Sequence, residues 1–126
     1  MSLRILIADD EAGFAEVLKD RLSRSGAAID VVYDGRRAIS MIERNSYDIV
    51  FVDHNMPELT GLEVIRHIRN KGIKSKTVMI TAYEEIEGSL VKAVGADGYL
   101  TKPVKLEDVD RFVGLWYNDT NKTEKK

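Results

Sequence analysis

Four short apolar runs each end in a side chain able to do chemistry. Asp9, Asp10 and Glu11 follow LRILIA (residues 3–8), and Asp53 follows IVFV (residues 49–52). Thr81 closes TVMIT (residues 77–81) with Ala82 beside it, and Lys102 comes just past GYL (residues 98–100), followed by Pro103. Runs this short and rich in Val and Ile read as strands buried on both faces. In an open parallel α/β sheet, ligands sit beyond the carboxyl ends of such strands. If these runs share one sheet, Asp9, Asp10 and Asp53 crowd together at one edge. Like-charged carboxylates at close range cannot all ionise cheaply. A hard divalent cation would relieve them, and a few carboxylate oxygens completed by water suit Mg²⁺. Lys102 supplies a nearby ammonium.

Each feature has a plainer reading when taken singly. Acids at 9–11 could cap a helix and favour its dipole. Asp53 could be a turn residue, and Lys102 a solvated surface lysine. The convergence of carboxylates, a hydroxyl and a lysine at four strand ends is the rarer coincidence, and it favours a site.

The elements that must position these residues are legible from periodicity. A further strand pattern, AIDVVY, covers residues 28–33. Phe14, Val17, Leu18 and Leu22 repeat at helical spacing, and Ser25-Gly26 stops that segment. Ala38, Ile39 and Ile42 mark a second helix. Leu62, Ile65 and Ile68 mark a third, with the spacing of a capping box from Thr60 to Glu63. Ile86, Leu90, Val91 and Val94 mark a fourth, ended by Gly95, and Val109, Phe112, Val113 and Trp116 a fifth. Alternation of strands and helices implies right-handed βαβ units and a doubly wound parallel sheet, five strands flanked by five helices. One domain is expected over residues 1–117, with 118–126 as a polar tail or linker stub.

Composition narrows the function classes. The 126 residues carry a formal net charge of −2, so nothing points to a nucleic-acid or membrane surface. The chain has no cysteine, which excludes disulfides and thiolate metal sites. No apolar run approaches membrane-spanning length, and the N-terminal run is too short and too acidic for a signal peptide. The cytoplasm is the expected location.

Taken in order, Asp9-Asp10-Glu11, Val52-Asp53-His54-Asn55-Met56-Pro57 with Gly61, Thr81-Ala82, and Gly95-Ala96-Asp97-Gly98-Tyr99-Leu100-Thr101-Lys102-Pro103 resemble the receiver domains of two-component response regulators. The resemblance covers about residues 3–116. It implies a flavodoxin-like strand order of 2-1-3-4-5 and a role for each matching residue. Asp53 would be the phosphoacceptor. Asp10, Asp53 and the backbone carbonyl of Asn55 would bind Mg²⁺, with Asp9 helping to position it. Lys102 would pair with phosphoryl oxygens, and the Thr81 hydroxyl and Ala82 N–H would donate to them. The Lys102–Pro103 bond would be cis. Phosphoryl transfer needs alignment and cations around the equatorial oxygens, which fits these roles.

By the same resemblance, Thr81 moves inward on phosphorylation and Tyr99 turns from exposed to buried. The output surface would be the predicted fourth helix, fifth strand and fifth helix, with Ile86, Leu90 and Trp116, although Trp116 at its helical spacing reads first as core. Tyr99 could also be a plain edge-strand aromatic. Asn55 and Tyr83 would set the lifetime of the phosphorylated state. His54 stands where relatives carry an apolar residue and should point away from Asp53 as a surface or packing residue. His67 reads as a solvated helix residue. The implied partners are a sensor histidine kinase or histidine phosphotransfer protein as donor, and a downstream protein target or effector domain. Homodimerisation, if it occurs, is expected on the output face.

Three rival readings differ in class. An aspartyl phosphatase or phosphotransferase would have a second acid two residues after the nucleophile, where this chain has Asn55. A degenerate receiver acting only as a protein-binding module would have lost an acid, Thr81 or Lys102, and none is lost. A nucleotide-binding flavodoxin-like protein would need a glycine-rich loop after the first strand, where Asp9-Asp10-Glu11 would instead repel phosphates.

Overall fold

A computed structural model describes residues 3–82 and 94–124, with backbone only from 118. Strands β1 (Arg4–Ala8), β2 (Ala28–Val32), β3 (Ile49–Asp53), β4 (Lys76–Thr81) and β5 (Gly98–Thr101) form one parallel sheet in the order β2-β1-β3-β4-β5. This is the expected order. The chain leaves β1 toward β2 on one side and reaches β3 on the other, so the order reverses between β1 and β3. Helices cannot cover the crevice that this reversal opens beyond the strand ends. One step past the Ala8–Val52 pairing lie Asp9 and Asp53.

The sheet separates two cores by the alternation of side chains along each strand. Leu6, Ala8, Val50, Val52 and Met79 pack on one face, against α2 (Gly35–Arg44) and α3 (Gly61–Asn70). Ile5, Ile7, Ile49, Phe51, Val78, Ile80 and Leu100 pack on the other, against α1 (Ala12–Ser23) and the C-terminal helix α4 (Leu106–Glu124). Covering both faces explains why β1, β3 and β4 read as near-continuous apolar runs.

Local sequence sets the helix ends. The Asp34 carboxylate accepts the Arg37 N–H at 2.8 Å and opens α2. Thr60 and Glu63 form the expected capping box on α3. Thr60→Ala removes the acceptor for the Glu63 N–H and should lower stability by about 1 kcal/mol. The check is the urea midpoint at constant slope; an unchanged midpoint would mean that solvent replaces the cap without loss.

Several expectations need correction. In α1 the buried residues are Ala15, Leu18 and Leu22, whereas Val17 is 54% exposed. Ala15, Leu18 and Leu22 recur at i, i+3 and i+7 along one face of the helix, and Val17, next in sequence to Leu18, is turned off it. Trp116, by contrast, is only 7% exposed and stacks on Phe112 at 5.2 Å, so it belongs to the core, the reading its helical spacing favoured over an output surface. The stretch from Asn118, expected as a polar tail or linker stub, is helical as far as Glu124. No Gly or Pro follows Trp116 to stop it, and extending a formed helix needs no new nucleus. Four helices occur among the described residues against five expected. Ile86, Leu90 and Val91 of the predicted fourth lie outside the described residues, as does Tyr83.

The chain is described again from Val94, in a turn before β5. There Arg69 of α3 donates to Gly95 O at 2.8 Å, Ile73 O at 3.1 Å and Asp97 Oδ2 at 2.7 Å. Gly95 has φ +97°, and a Cβ on it would lie 2.5 Å from Arg69 Cγ. Glycine therefore serves here both the turn and the close guanidinium. Among the described residues, no helix is long and apolar enough to cross a membrane.

Candidate functional site

Beyond the β1–β3 crevice, Asp9, Asp10 and Asp53 each offer a carboxylate oxygen, and the three oxygens lie within 4.8 Å of one another. Asp9 is fully buried and Asp53 nearly so, while Asp10 is exposed. Asp53 is the last residue of β3. By alternation it shares the face of Ile49 and Phe51. The backbone orients both buried acids. Asp9 Oδ1 accepts the Glu11 N–H at 2.9 Å, and Asp53 Oδ1 accepts the Asn55 N–H at 3.3 Å. The acids therefore do not cap α1; Glu11 is its N-cap residue but makes no side-chain cap bond.

Lys102 reaches the cluster from the end of β5. Its Nζ lies 3.4 Å from Asp53 Oδ2, 3.5 Å from Asp9 Oδ2 and 2.5 Å from Glu11 Oε1. It also sits 5.1 Å from the centre of the Phe14 ring, where the face of the ring favours a cation. The Lys102 N–H donates to Thr81 O at 2.8 Å, which ties the two strand ends together, and the Lys102–Pro103 bond is cis. Thr81 is buried, and Ala82 after it is exposed. Asn55 is exposed, and Tyr99 on the edge strand is 43% exposed. The five strand-end residues Asp9, Asp10, Asp53, Thr81 and Lys102 thus gather at one edge.

The electrostatics reflect three acids sharing one lysine. Burial pushes Asp9 up from 3.8 to about 6; the Glu11 N–H and Lys102 oppose this, and the Asp53 charge adds to it. Burial likewise raises Asp53, against the Asn55 N–H and Lys102, with Asp10 adding to the rise. For Lys102, burial acts downward, but the Glu11 bond and the charges of Asp53 and Asp9 outweigh it and hold the ammonium charged. Asp9 Oδ2 is buried with no hydrogen-bond partner among the described residues, its ion pair with Lys102 at 3.5 Å aside. An unsatisfied buried carboxylate oxygen beside two further carboxylates suits a hard cation of the Mg²⁺ class.

Two histidines behave differently from each other. His54 is half-buried, its Nδ1 has no hydrogen-bond partner among the described residues, and burial lowers its pKa; of the surface and packing roles expected for it, this favours packing. His67 is not simply solvated. Its Nε2 meets Glu43 Oε1 at 3.0 Å and joins α3 to α2. Sequence reasoning also missed the Glu11–Lys102 pair. The one available signal was an acid at a helix N-cap, a position better served by Asp or Ser.

The family model for the response regulator receiver domain matches residues 5–113. The chain belongs to this family. As a receiver domain it is 36% identical over 110 residues to the transcriptional regulatory protein TctD of Salmonella typhimurium, covering 86% of this chain and 49% of that protein. It is 32% identical over 115 residues to the transcriptional regulatory protein TrcR of Mycobacterium tuberculosis, covering 90% and 45%. The receiver thus spans about half the length of the curated relatives it matches. Among solved structures, it resembles the response regulator protein TrrA of Thermotoga maritima in complex with Mg²⁺-BeF, at 34% identity and TM-score 0.83 over 92% of this chain and 99% of that one. The receiver domain of the Francisella response regulator 1452 superposes with TM-score 0.88 at 28% identity over 94% and 99%. The acidic pocket of this receiver is the kind found at the Mg²⁺ and phosphoaspartate site of the family.

Proposed function

We propose that this receiver accepts a phosphoryl group on Asp53 and uses it as a conformational signal. The observation that carries the reading is a nearly buried Asp53 at the sheet's switch point, with two further acids and an ammonium facing it. A carboxylate oxygen of Asp53 attacks phosphorus. The new O–P bond forms as the P–N bond of a phosphohistidine breaks, and the imidazole leaves with the bonding pair. With acetyl phosphate the P–O bond breaks and acetate leaves. The chain's contribution is alignment and charge. Asp10, Asp53 and the Asn55 carbonyl would hold Mg²⁺, positioned by Asp9, and when bound it neutralises phosphoryl oxygens. Lys102 pairs with the same oxygens. The Thr81 hydroxyl and Ala82 N–H donate to them, and Ala82 leaves room for the group.

The added charge then biases Thr81 and Tyr99. Tyr99, now exposed on β5, would turn inward. The donor is a sensor histidine kinase or histidine phosphotransfer protein in the cytoplasm, and the recipient is an effector domain or protein target. Residues 1–117 form the unit that switches, since Trp116 still packs in its core.

The test is intact-protein mass after incubation with Mg²⁺ and acetyl phosphate. One phosphoryl group should be added, dependent on the metal and absent from Asp53→Asn. If neither that adduct nor a fluorescence change with beryllofluoride appears, the chain is a binding module and not a phosphorylation switch.

A further inference from the structure

Lys102 has one ammonium and three carboxylates around it, and the shortest contact is not with the phosphoacceptor. Glu11 Oε1 lies 2.5 Å from Nζ, against 3.4 Å for Asp53 and 3.5 Å for Asp9. Glu11 is placed for this and for little else. It holds the N-cap position of α1 yet leaves the helix uncapped by its side chain. Its backbone is pinned by the Asp9 carboxylate, which fixes the direction from which the side chain leaves. The side chain is 62% exposed, whereas that of Lys102 is 15% exposed. Glu11 thus grips the lysine from the solvent side of a pocket whose interior faces Asp53.

We infer that Glu11 is a positioning residue that competes with Asp53 for Lys102 in the unphosphorylated protein, the lysine reaching both but Glu11 at the shorter distance, and that Lys102 must exchange Glu11 for phosphoryl oxygens when Asp53 is modified. The inference rests on the phosphoacceptor reading of Asp53. Phosphorylation replaces the single charge of the Asp53 carboxylate by nearly two negative charges spread over three acceptor oxygens, enough to outcompete one solvated carboxylate. Before transfer, the Glu11 contact lowers the fraction of molecules whose lysine is turned to the incoming donor. Glu11 thereby slows phosphorylation without touching the reacting atoms.

The experiment compares wild type, Glu11→Gln and Glu11→Asp, each with Mg²⁺. Because the contact is partly exposed, Glu11→Gln should raise the initial rate of phosphorylation by acetyl phosphate by roughly two- to fivefold. Glu11→Asp keeps the charge but is one methylene too short for the contact, and should speed the reaction nearly as much. The second readout is the ¹⁵N resonance of the Lys102 ammonium. It should differ between wild type and Glu11→Gln without donor, and coincide once beryllofluoride is added. An unshifted Lys102 resonance in Glu11→Gln overturns the contact. A faster Glu11→Gln with an unchanged Glu11→Asp also overturns it, in favour of a long-range charge effect. A wild type that takes up no phosphoryl group overturns the reading of Asp53 instead, and the donor-free resonance then judges the contact alone.

Discussion

Replacing Asp9 by Asn should make the metal-free protein more stable and its response to Mg²⁺ much weaker. Asp9 is fully buried beside Asp53, and its carboxyl is pushed up to about 6 from 3.8. The folded state therefore prefers Asp9 protonated. Below about pH 4 the acid is protonated folded or unfolded, and no penalty arises. As pH rises through the window from about 4 to 6, the unfolded chain ionises freely while the folded one resists, so stability falls and then levels off. A shift of about two units corresponds to roughly 3 kcal/mol. Asp53 and Lys102 share the cluster, so relief from one substitution should be about 1–3 kcal/mol. Asn keeps an oxygen for the Glu11 N–H, so the backbone contact survives. Metal-free wild type should thus gain stability on going from pH 7 to 5, Asp9→Asn should show a flatter profile, and Mg²⁺ should raise the wild-type midpoint chiefly above pH 6. Urea titrations across pH, with and without Mg²⁺, measure all three. A wild type whose metal-free stability falls from pH 7 to 5 would contradict the argument.

Gly61→Ala should destabilise the fold by about 2 kcal/mol, more than alanine returns through helix propensity. A Cβ at Gly61 would stand 2.8 Å from His54 Cα and 2.9 Å from Asp53 O. Both neighbours are backbone, so either α3 retreats or the end of β3 bends. Bending β3 would move Asp53, and the phosphorylation rate should fall along with the urea midpoint. Gly13→Ala is the control. Nothing lies within 4 Å of a Cβ there, and the same change should be neutral or slightly stabilising. Equal effects at the two positions would show that helix propensity, not the approach of α3 to the strand, decides.

The sheet was legible because its central strands are buried on both faces. Ile49 to Val52 could be little else, and the Thr60–Glu63 capping box fixed the start of α3 in the same way. The gathering of Asp9, Asp10, Asp53, Thr81 and Lys102 followed from topology, since parallel strands put all their carboxyl ends on one edge. What periodicity could not supply was the choice among side chains of equal hydrophobicity. Val17 looks as apolar as Leu18, and which of the two meets the sheet depends on how α1 is turned about its own axis. Nor could spacing reveal that Glu11 and His67 each reach an opposite group. Those contacts join residues 91 and 24 positions apart, and they depend on where the helices come to rest.

The alternation along β3 has a further consequence. Ile49, Phe51 and Asp53 face α1 and the C-terminal helix, while Val50 and Val52 face α2 and α3. The strand is thus a partition between a reactive compartment and a ballast compartment. Substitutions among Ala38, Ile42 and Val64 load only the ballast side and reach Asp53 through main chain alone. They should disturb Asp53 less than changes at Phe14 and Leu18, which pack on the face that Asp53 shares.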